Sequence, residues 1–429
     1  MKNVYLDLKQ ETSENKLFAP AILVLLTIPL SYAYNSISVC VFTGITLVTF
    51  QKKNFKLHKS LLPFIGIYIL MLLSLIWSLD FEKSSSSLVK ELPLFAIPFC
   101  FFLSKPFTVH QTSKILKYYS LGMVVFALYY VIKAAIRFII TQDPSVFFYH
   151  ELVSVDLNAI HVSIFMSVAC FCFLSKGKKT KLDIFAIILL VAVVFMLASK
   201  NVIIVFLTLV FLYYFYFIKI SNRIKYSITF GALLLLVSLS FVQQIRNRFL
   251  VEFKTNTTEN TFAEGQGIES GKVLNVSVRQ AWNNKIFAEN YYFPGTAFRV
   301  YQIRIFLEMM REDPAFFTGY GLSASHVKIE EKAKQYKIHP GYAKYNFHNQ
   351  YIQNFAELGI FAFLLLLILL FINIKNAFGT KNFVHIAFAI LMVMLFLTES
   401  FLWRQRGVVY FAMMYCLLNV QSSSKDVKK

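Results

Sequence analysis

Cysteine is scarce in this 429-residue chain, and acidic residues are far fewer than basic ones. The five cysteines, Cys40, Cys100, Cys170, Cys172 and Cys416, all fall inside apolar blocks and none lies in the one long polar segment. Neither a disulfide framework nor a zinc site is suggested by that placement. The sequence also lacks any grouping of Asp, Glu and His at metal-ligand spacing, so no metal and no other cofactor is expected. No internal repeat is found. The N-terminus reads as polar and charged from Met1 to Lys16, without a short apolar core and a small-residue cleavage site, so no removable signal peptide is expected.

What is present is apolar surface in blocks. Hydrophobic residues make up 57% of the chain and aromatics 17%, with a mean hydropathy of +0.57. One soluble core could not bury so much, and the apolar residues arrive in runs long enough to cross a bilayer. The expected fold is an all-α polytopic membrane protein with about twelve transmembrane helices. They are placed near 18–35, 36–50, 61–78, 92–104, 118–138, 159–174, 183–199, 201–218, 226–243, 349–374, 382–401 and 407–420.

Orientation follows from charge, because Lys and Arg collect in cytoplasmic connections. With the N-terminus inside, the segments 1–17, 51–60, 104–117, 175–182, 219–225, 375–381 and 421–429 hold 22 Lys or Arg against a handful of acids. The formal net charge of +20 is therefore largely a matter of topology, and nucleic acid is not the expected partner. The division that results is a cytoplasmic N-terminus (1–17), transmembrane helices 1–9 (18–243), a periplasmic loop domain (244–347), transmembrane helices 10–12 (348–420) and a cytoplasmic tail (421–429). Both termini are thus expected inside a multi-pass protein of the bacterial inner membrane.

The segment 244–347 is too long for a hairpin and too polar for lipid. Its stretch Thr255 to Gly271, rich in Gly, Glu, Thr and Asn, reads as an exposed loop. Beyond it, Val278 to Trp282 and Phe298 to Arg311 have helical spacing, with Phe298, Tyr301, Ile305 and Met309 forming an apolar stripe. A small helical cap between helices 9 and 10 is expected.

Unusual charges converge on the outer face. Lys200 sits in the turn Ala198-Ser199-Lys200-Asn201; Arg279, Arg299, Arg304 and Arg311 lie in the cap; His348 opens the tenth span; Glu399, Arg404 and Arg406 fill the last outer turn. Lys133 and Arg137 add an i, i+4 pair near the outer end of the fifth span. A phosphate or diphosphate at the membrane surface would balance these cations, since Arg offers bidentate donors and Lys a point charge. Structural roles are open to the same residues: Arg404 and Arg406 can pair with Glu399 and lipid headgroups, and Lys200 can snorkel. His348 can take a proton from a sugar hydroxyl near neutral pH, or it can simply precede Asn349 as part of a helix cap. Glu357 is expected to hold an Arg or Asn of a neighbouring span. Gly319 and Gly321 form a tight turn that would let backbone amides approach a ligand.

In order and topology these features resemble the O-antigen ligase and O-antigen polymerase family of bacterial envelope enzymes. The resemblance rests on Leu75-Ile76-Trp77-Ser78-Leu79-Asp80 at the end of the third span, the turn Ser199-Lys200, an Arg about fifteen residues before Pro314, Gly319-Tyr320-Gly321, and His348-Asn349 with Glu357 and Gly359. It covers about residues 60 to 410 and is densest from Phe298 to Ile360. It implies a membrane-embedded glycosyltransferase that moves a glycan from undecaprenyl diphosphate to an acceptor outside the inner membrane, without a metal or a nucleotide sugar. His348 would then be the base, and the cap Arg would hold the diphosphate, with Arg299 the closest match by spacing and Arg304 the second. The family usually carries Arg where this chain has Lys200, which keeps the charge and loses the fork. Ligase and polymerase share a donor and differ in the acceptor, lipid A core or another lipid-linked repeat, which the sequence does not name; the His-Asn signature and the cap position resemble the ligase branch. An exporter or flippase of an anionic glycolipid is the alternative from another class, and it would need polar residues deep in several spans and broken helices at the midplane.

Overall fold

The structure is a computed structural model that describes residues 2–153, 157–219, 221–223, 225–227, 230–231, 241, 243–252, 274–288 and 290–422. Most of the ninth expected span (226–243), the loop Thr255 to Gly271 and the tail beyond 422 lie outside the described residues. Helix dominates. In chain order the helices are α1 (Lys2–Glu14), α2 (Phe18–Thr27), α3 (Tyr32–Val48), α4 (Leu62–Ser74), α5 (Phe81–Glu91), α6 (Pro93–Leu103), α7 (Val109–Thr141), α8 (Tyr149–Leu152), α9 (Ala159–Leu174), α10 (Lys181–Met196) and α11 (Lys200–Leu212). They continue as α12 (Gln243–Leu250), α13 (Val278–Asn283), α14 (Gly295–Glu312), α15 (Ser325–Gln335), α16 (Pro340–Ala343), α17 (Gln350–Thr380), α18 (Phe383–Phe396) and α19 (Gln405–Asn419). Sheet among the described residues is limited to two parallel two-residue pairs, Phe107–Thr108 with Gln421–Ser422 and Leu274–Asn275 with Tyr291–Tyr292.

By length and composition four helical stretches can cross a membrane: Phe81–Leu103, Val109–Thr141, Lys200–Phe217 and Gln350–Thr380. Shorter apolar helices, among them Phe18–Thr27, Tyr32–Val48, Ala159–Leu174 and Phe383–Phe396, pack around them. Helices α9 and α19 are apolar and buried almost all round, which makes them the centre of the bundle. On α7, by contrast, Val125, Tyr129, Ile132, Ile136, Ile139 and Ile140 remain exposed, the side a helix turns to hydrocarbon.

Local chemistry sets the ends. Thr108 and Gln111 form a capping box that starts α7, nine residues before the apolar run expected there. The fourth span also begins early, at Phe81 rather than 92, because the Asp80 carboxylate accepts from the Lys83 amide at 2.9 Å and caps α5. Its serines are tolerated since Ser84 bonds the Leu322 carbonyl at 2.5 Å. Asn349 caps α17 by accepting from the Ile352 amide at 3.1 Å, the cap expected from the sequence.

The basic connections gather at one end of the bundle. Asn15 donates to the Lys105 carbonyl, the Lys56 amide to Phe102, Tyr415 to Ser60 and Tyr213 to Leu174, and Phe107 pairs with Gln421. The opposite end collects 75–80, the polar segment from 274 to 347 and 397–406. Within that polar segment a second hydrophobic core forms, in which Phe298, Tyr301, Ile305 and Met309 are all buried as the stripe on α14 required. Helices α15 and α16, not expected from the sequence, close it.

The join between this segment and the bundle is a broken helix. At Gly359 the backbone of α17 adopts φ 73° and ψ −172°, and the space a Cβ would need is taken by the Phe317 carbonyl. The break frees carbonyls, and the glycine turn supplies amides: Tyr320 donates to Ala356 and Gly321 to Glu357, both at 2.9 Å, while Ile360 donates back to Phe316 at 3.0 Å. The turn of Gly319 and Gly321 therefore serves the backbone of α17, and its amides are not presented to a ligand as the sequence suggested. The segment Trp77 to Asp80 docks on the other side, with Leu79 donating to the Tyr320 carbonyl and the Trp77 indole to Thr318, each at 3.0 Å.

Candidate functional site

His348 sits in the loop that leads into α17, and that loop is tied down on every side. Its own amide donates to Asn346 Oδ1 at 3.0 Å, the Phe347 amide to Gln353 Oε1 at 3.2 Å, and the Asn349 amide to Ser400 Oγ at 3.2 Å. These bonds hold His348 at φ 46°, a left-handed backbone unusual for a histidine. The imidazole lies between the rings of Phe298 and Tyr345, at centroid distances of 6.0 and 5.6 Å, with 25% of the side chain open.

The nearest charge is Glu399. Nδ1 of His348 is 3.5 Å from Oε2 of Glu399, an ion-pair distance, and the carboxylate is almost fully buried. Burial alone would raise the Glu399 carboxyl, but the facing His348, with His161 and Arg299 beyond it, outweighs burial and holds it down at about 2. Asn349 serves the same turn from its side chain, donating from Nδ2 to the Leu397 carbonyl at 3.2 Å.

Arg299 braces the turn from the polar segment. Its Nε and Nη2 both donate to the Thr398 carbonyl, at 2.9 and 2.8 Å, and Nη1 donates to Gly295 within α14 at 3.0 Å. Asn201 reaches the same place, donating to Thr398 Oγ1 at 2.6 Å and to the Met394 carbonyl at 2.8 Å. Next to it, Lys200 pairs with Glu252, whose other oxygen accepts from the Thr296 amide at the start of α14 at 3.0 Å. Glu252 is kept ionised in the same way as Glu399: burial raises it and the Lys200 ammonium more than offsets that. The structure thus brings Lys200, Arg299, Asn349, His348 and Glu399 together around residues 398–400.

Two cations close the far side of that turn. Arg404 is exposed, and both Arg404 and Arg406 act electrostatically on His161. Arg406 is buried, donates from Nη2 to the Leu30 carbonyl at 2.7 Å and lies 4.0 Å over the Tyr32 ring. Among the described residues the ion-pair partner of Glu399 is His348, not Arg404 or Arg406.

Arg304 is not part of this group. Its guanidinium bonds Glu308 at 3.0 Å, the Asn284 carbonyl at 2.7 Å and the Tyr336 hydroxyl at 2.9 Å, and stacks 4.5 Å from the Tyr336 ring. It is a fastener of the polar-segment core, five residues round the helix from Arg299. Among the described residues Glu357 holds neither an Arg nor an Asn: its Oε1 accepts from Gln353 at 2.5 Å and from Ser325 at 3.5 Å. Through Gln353, which also bonds the Phe347 amide and Ser400, it supports the His348 loop from below. Lys133 and Arg137 are engaged by the loop that follows α7, Lys133 with the Val153 carbonyl at 3.1 Å and Arg137 with Glu151 at 2.6 Å.

Three contributors were not singled out from sequence. His161 is buried against the Phe401 ring at 4.3 Å, Glu252 neutralises Lys200, and Gln353 links three segments. His161 left a usable sign, a titratable residue in the first turn of an apolar helix. Glu252 and Gln353 left none, being ordinary polar residues whose partners are distant in sequence.

The long apolar helices are those of a membrane protein, and a histidine, a carboxylate and several cations collect at one end of their bundle. Residues 185–367, from α10 to the middle of α17 beyond the Gly359 break, match the family described as O-antigen ligase, which supports the resemblance to the O-antigen ligase and polymerase family. No curated protein matches the chain.

Proposed function

We propose that the chain is a glycosyltransferase of the O-antigen ligase type, which moves a glycan from undecaprenyl diphosphate to a hydroxyl of lipid A core on the outer face of the inner membrane. The observation that carries this reading is the pairing of His348 with the buried Glu399 inside a ring of cations. Nδ1 faces the carboxylate, so Nε2 is the nitrogen left to face an acceptor. Nε2 takes the proton of the acceptor hydroxyl as its oxygen attacks the anomeric carbon; the bond from that carbon to the diphosphate breaks, and the electron pair leaves on the phosphate oxygen. Attack from the face opposite the leaving group inverts the anomeric centre. Glu399 steadies the imidazolium that results, and no metal takes part in the proposed step.

The diphosphate falls to Arg404, Arg406, Lys200 and Arg299 in this reading, and Arg304 is dropped from it because its donors are consumed inside the polar segment. Arg299 acts chiefly by fixing the 398–400 turn. A polymerase of the same family would use the same groups on a second lipid-linked repeat. Offering lipid A core and a lipid-linked repeat separately to detergent-solubilised protein charged with a lipid-diphosphate glycan decides between them. Transfer to lipid A core alone supports the ligase, and transfer to the lipid-linked repeat alone replaces it with the polymerase. Transfer to neither removes the glycosyltransferase reading in favour of an exporter.

A further inference from the structure

Below the His348 loop, where α5, α17 and the segment carrying Leu402 and Trp403 meet, a cavity of about 20 Å³ is walled by Glu91, Gln350, Gln353, Asn354 and Glu357, with apolar side chains making up the rest. All five polar residues are buried, none more than 6% exposed. Space of this size admits one small species, since a single water needs roughly 10–15 Å³. Glu91 is the last residue of α5, roughly 15 Å along it from the Phe81 end, and Glu357 lies roughly 10 Å into α17. Both carboxyls are therefore inside the bundle, below the polar segment.

Two acids in such a place need a countercharge, and the chain supplies none in contact. Among the described residues neither Glu91 nor Glu357 forms an ion pair; Lys90 and Lys83 act on them through space, and Glu357 acts on Glu91 in turn. Glu357 is partly provided for, accepting from Gln353 and Ser325. Glu91 is not. Its Oε2 has no hydrogen-bond partner among the described residues, although the residue is only 5% exposed. A buried carboxyl oxygen left in that condition is costly and is retained where something else supplies its partner.

The wall sets the charge and size of that partner. Gln350 donates to Asn354 Oδ1 at 2.6 Å, Gln353 to Glu357 Oε1 at 2.5 Å, and the Leu402 amide to Gln350 Oε1 at 2.7 Å. Amide donors are thus engaged with the wall's own acceptors, and carboxyl oxygens are in excess, which excludes an anion. A proton shared between the two acids would draw them into a direct hydrogen bond, and among the described residues they form none. Oxygen ligands without sulfur or imidazole suit a hard cation. Room for one species excludes an ion that keeps its water shell, as Mg²⁺ does.

We infer that Glu91 and Glu357 hold a single dehydrated hard cation, Na⁺ or Ca²⁺, with the side-chain amides of Gln350 and Asn354 beside them. The ion takes no part in the transfer step, and the inference does not depend on the transfer reading. Its effect reaches the candidate site through Gln353, which bonds Glu357 on one side and the Phe347 amide and Ser400 on the other, so that binding stiffens the loop carrying His348.

The test is equilibrium binding of radioactive sodium and calcium to the full-length solubilised protein in choline buffer, with Tm and hydrogen exchange over residues 345–349 measured on the same samples and Mg²⁺ as the comparison ion. Wild type is expected to take up one ion per chain, to gain a few degrees in Tm at saturation and to exchange more slowly at 345–349; whichever of the two ions does this is the occupant. Glu91→Gln removes the unpaired acid, so it is expected to be at least as stable as wild type in choline buffer and to lose the response to the ion. Failure of wild type to bind either ion overturns the inference whatever the variant does, and so does an undiminished response in Glu91→Gln. Equal stabilisation by Mg²⁺ would mark binding at the surface, and a Tm that follows pH but neither ion would make the pair a proton site; either result also overturns it.

Discussion

Replacing Arg299 by Lys separates two roles that alanine would confound. If the residue acts as a positive charge for diphosphate, Lys should serve nearly as well. If it acts as the geometry indicates, through a fork on the Thr398 carbonyl, Lys should fail. Two of its three bonds, at 2.9 and 2.8 Å, converge on that single oxygen, and the third ties it to Gly295. An ammonium keeps at most one of these. Charge-assisted bonds contribute about 1.5–3 kcal/mol each, and the half-buried setting returns part of that as hydration, which leaves a loss of about 2 kcal/mol. In transfer that is a factor of roughly 30, because the turn it releases carries Glu399 and, through it, the orientation of His348. The assay is kcat/KM for transfer by solubilised protein, with Tm measured on the same samples. Arg299→Lys is expected to fall close to Arg299→Ala in both. A lysine variant within a few-fold of wild type would refute the positioning role and leave Arg299 as a phosphate ligand alone.

Further outcomes follow from the same contacts. The folded carboxyl of Glu399 lies at about 2 against an ordinary 4.5, so its stabilisation is present above the unfolded value and lost as pH falls through the folded one. It is worth about 3 kcal/mol at neutral pH, with roughly 2 of that gone by pH 3; the fall in Tm over that range should therefore be smaller in Glu399→Gln than in wild type, and an unchanged slope would contradict it. Gly321→Ala would place a Cβ against the Ser78 backbone at φ +101°, a cost of about 2–4 kcal/mol that should lower Tm and loosen the docking of Trp77 to Asp80, seen as raised hydrogen exchange there. Arg304→Ala should lower Tm through the lost Glu308, Asn284 and Tyr336 bonds, while donor affinity below the transition stays at the wild-type level; a tenfold loss of affinity would restore Arg304 to the site.

The helical class and the positions of several apolar helices were legible because hydrocarbon imposes a composition that marks them, as in α9, expected at 159–174 and found at Ala159–Leu174. The boundaries that moved did so where polar residues begin a helix: Asp80 capping α5 and Thr108 capping α7 extend helices past the apolar run that marks them. The stripe on α14 was readable from period alone, whereas α15 has only Val327, Ile329 and Ala333 as apolar residues and completes its buried face with Ser325 and Lys332. In the site, His348, Lys200 and Glu399 stood out because each is a costly residue at a membrane surface. Their partners did not. The link from Lys200 to Glu252 spans 52 residues and the bond from Gln350 to Leu402 a similar separation, and nothing local in a sequence records such pairings. The glycine turn was recognised as a close approach, but the approaching group is the broken backbone of α17, and only a three-dimensional view shows that Gly359 creates the demand that Gly321 meets.

The central claim is that His348, oriented by Glu399, removes the acceptor proton while cations hold the departing diphosphate. The most direct measurement is single-turnover transfer of a purified lipid-diphosphate-linked glycan, comparing wild type with His348→Ala, alongside donor affinity for both. The account predicts that transfer falls by about 10²-fold or more in the variant, the contribution typical of a positioned general base, with donor affinity unchanged. Transfer at the wild-type rate by His348→Ala would contradict it.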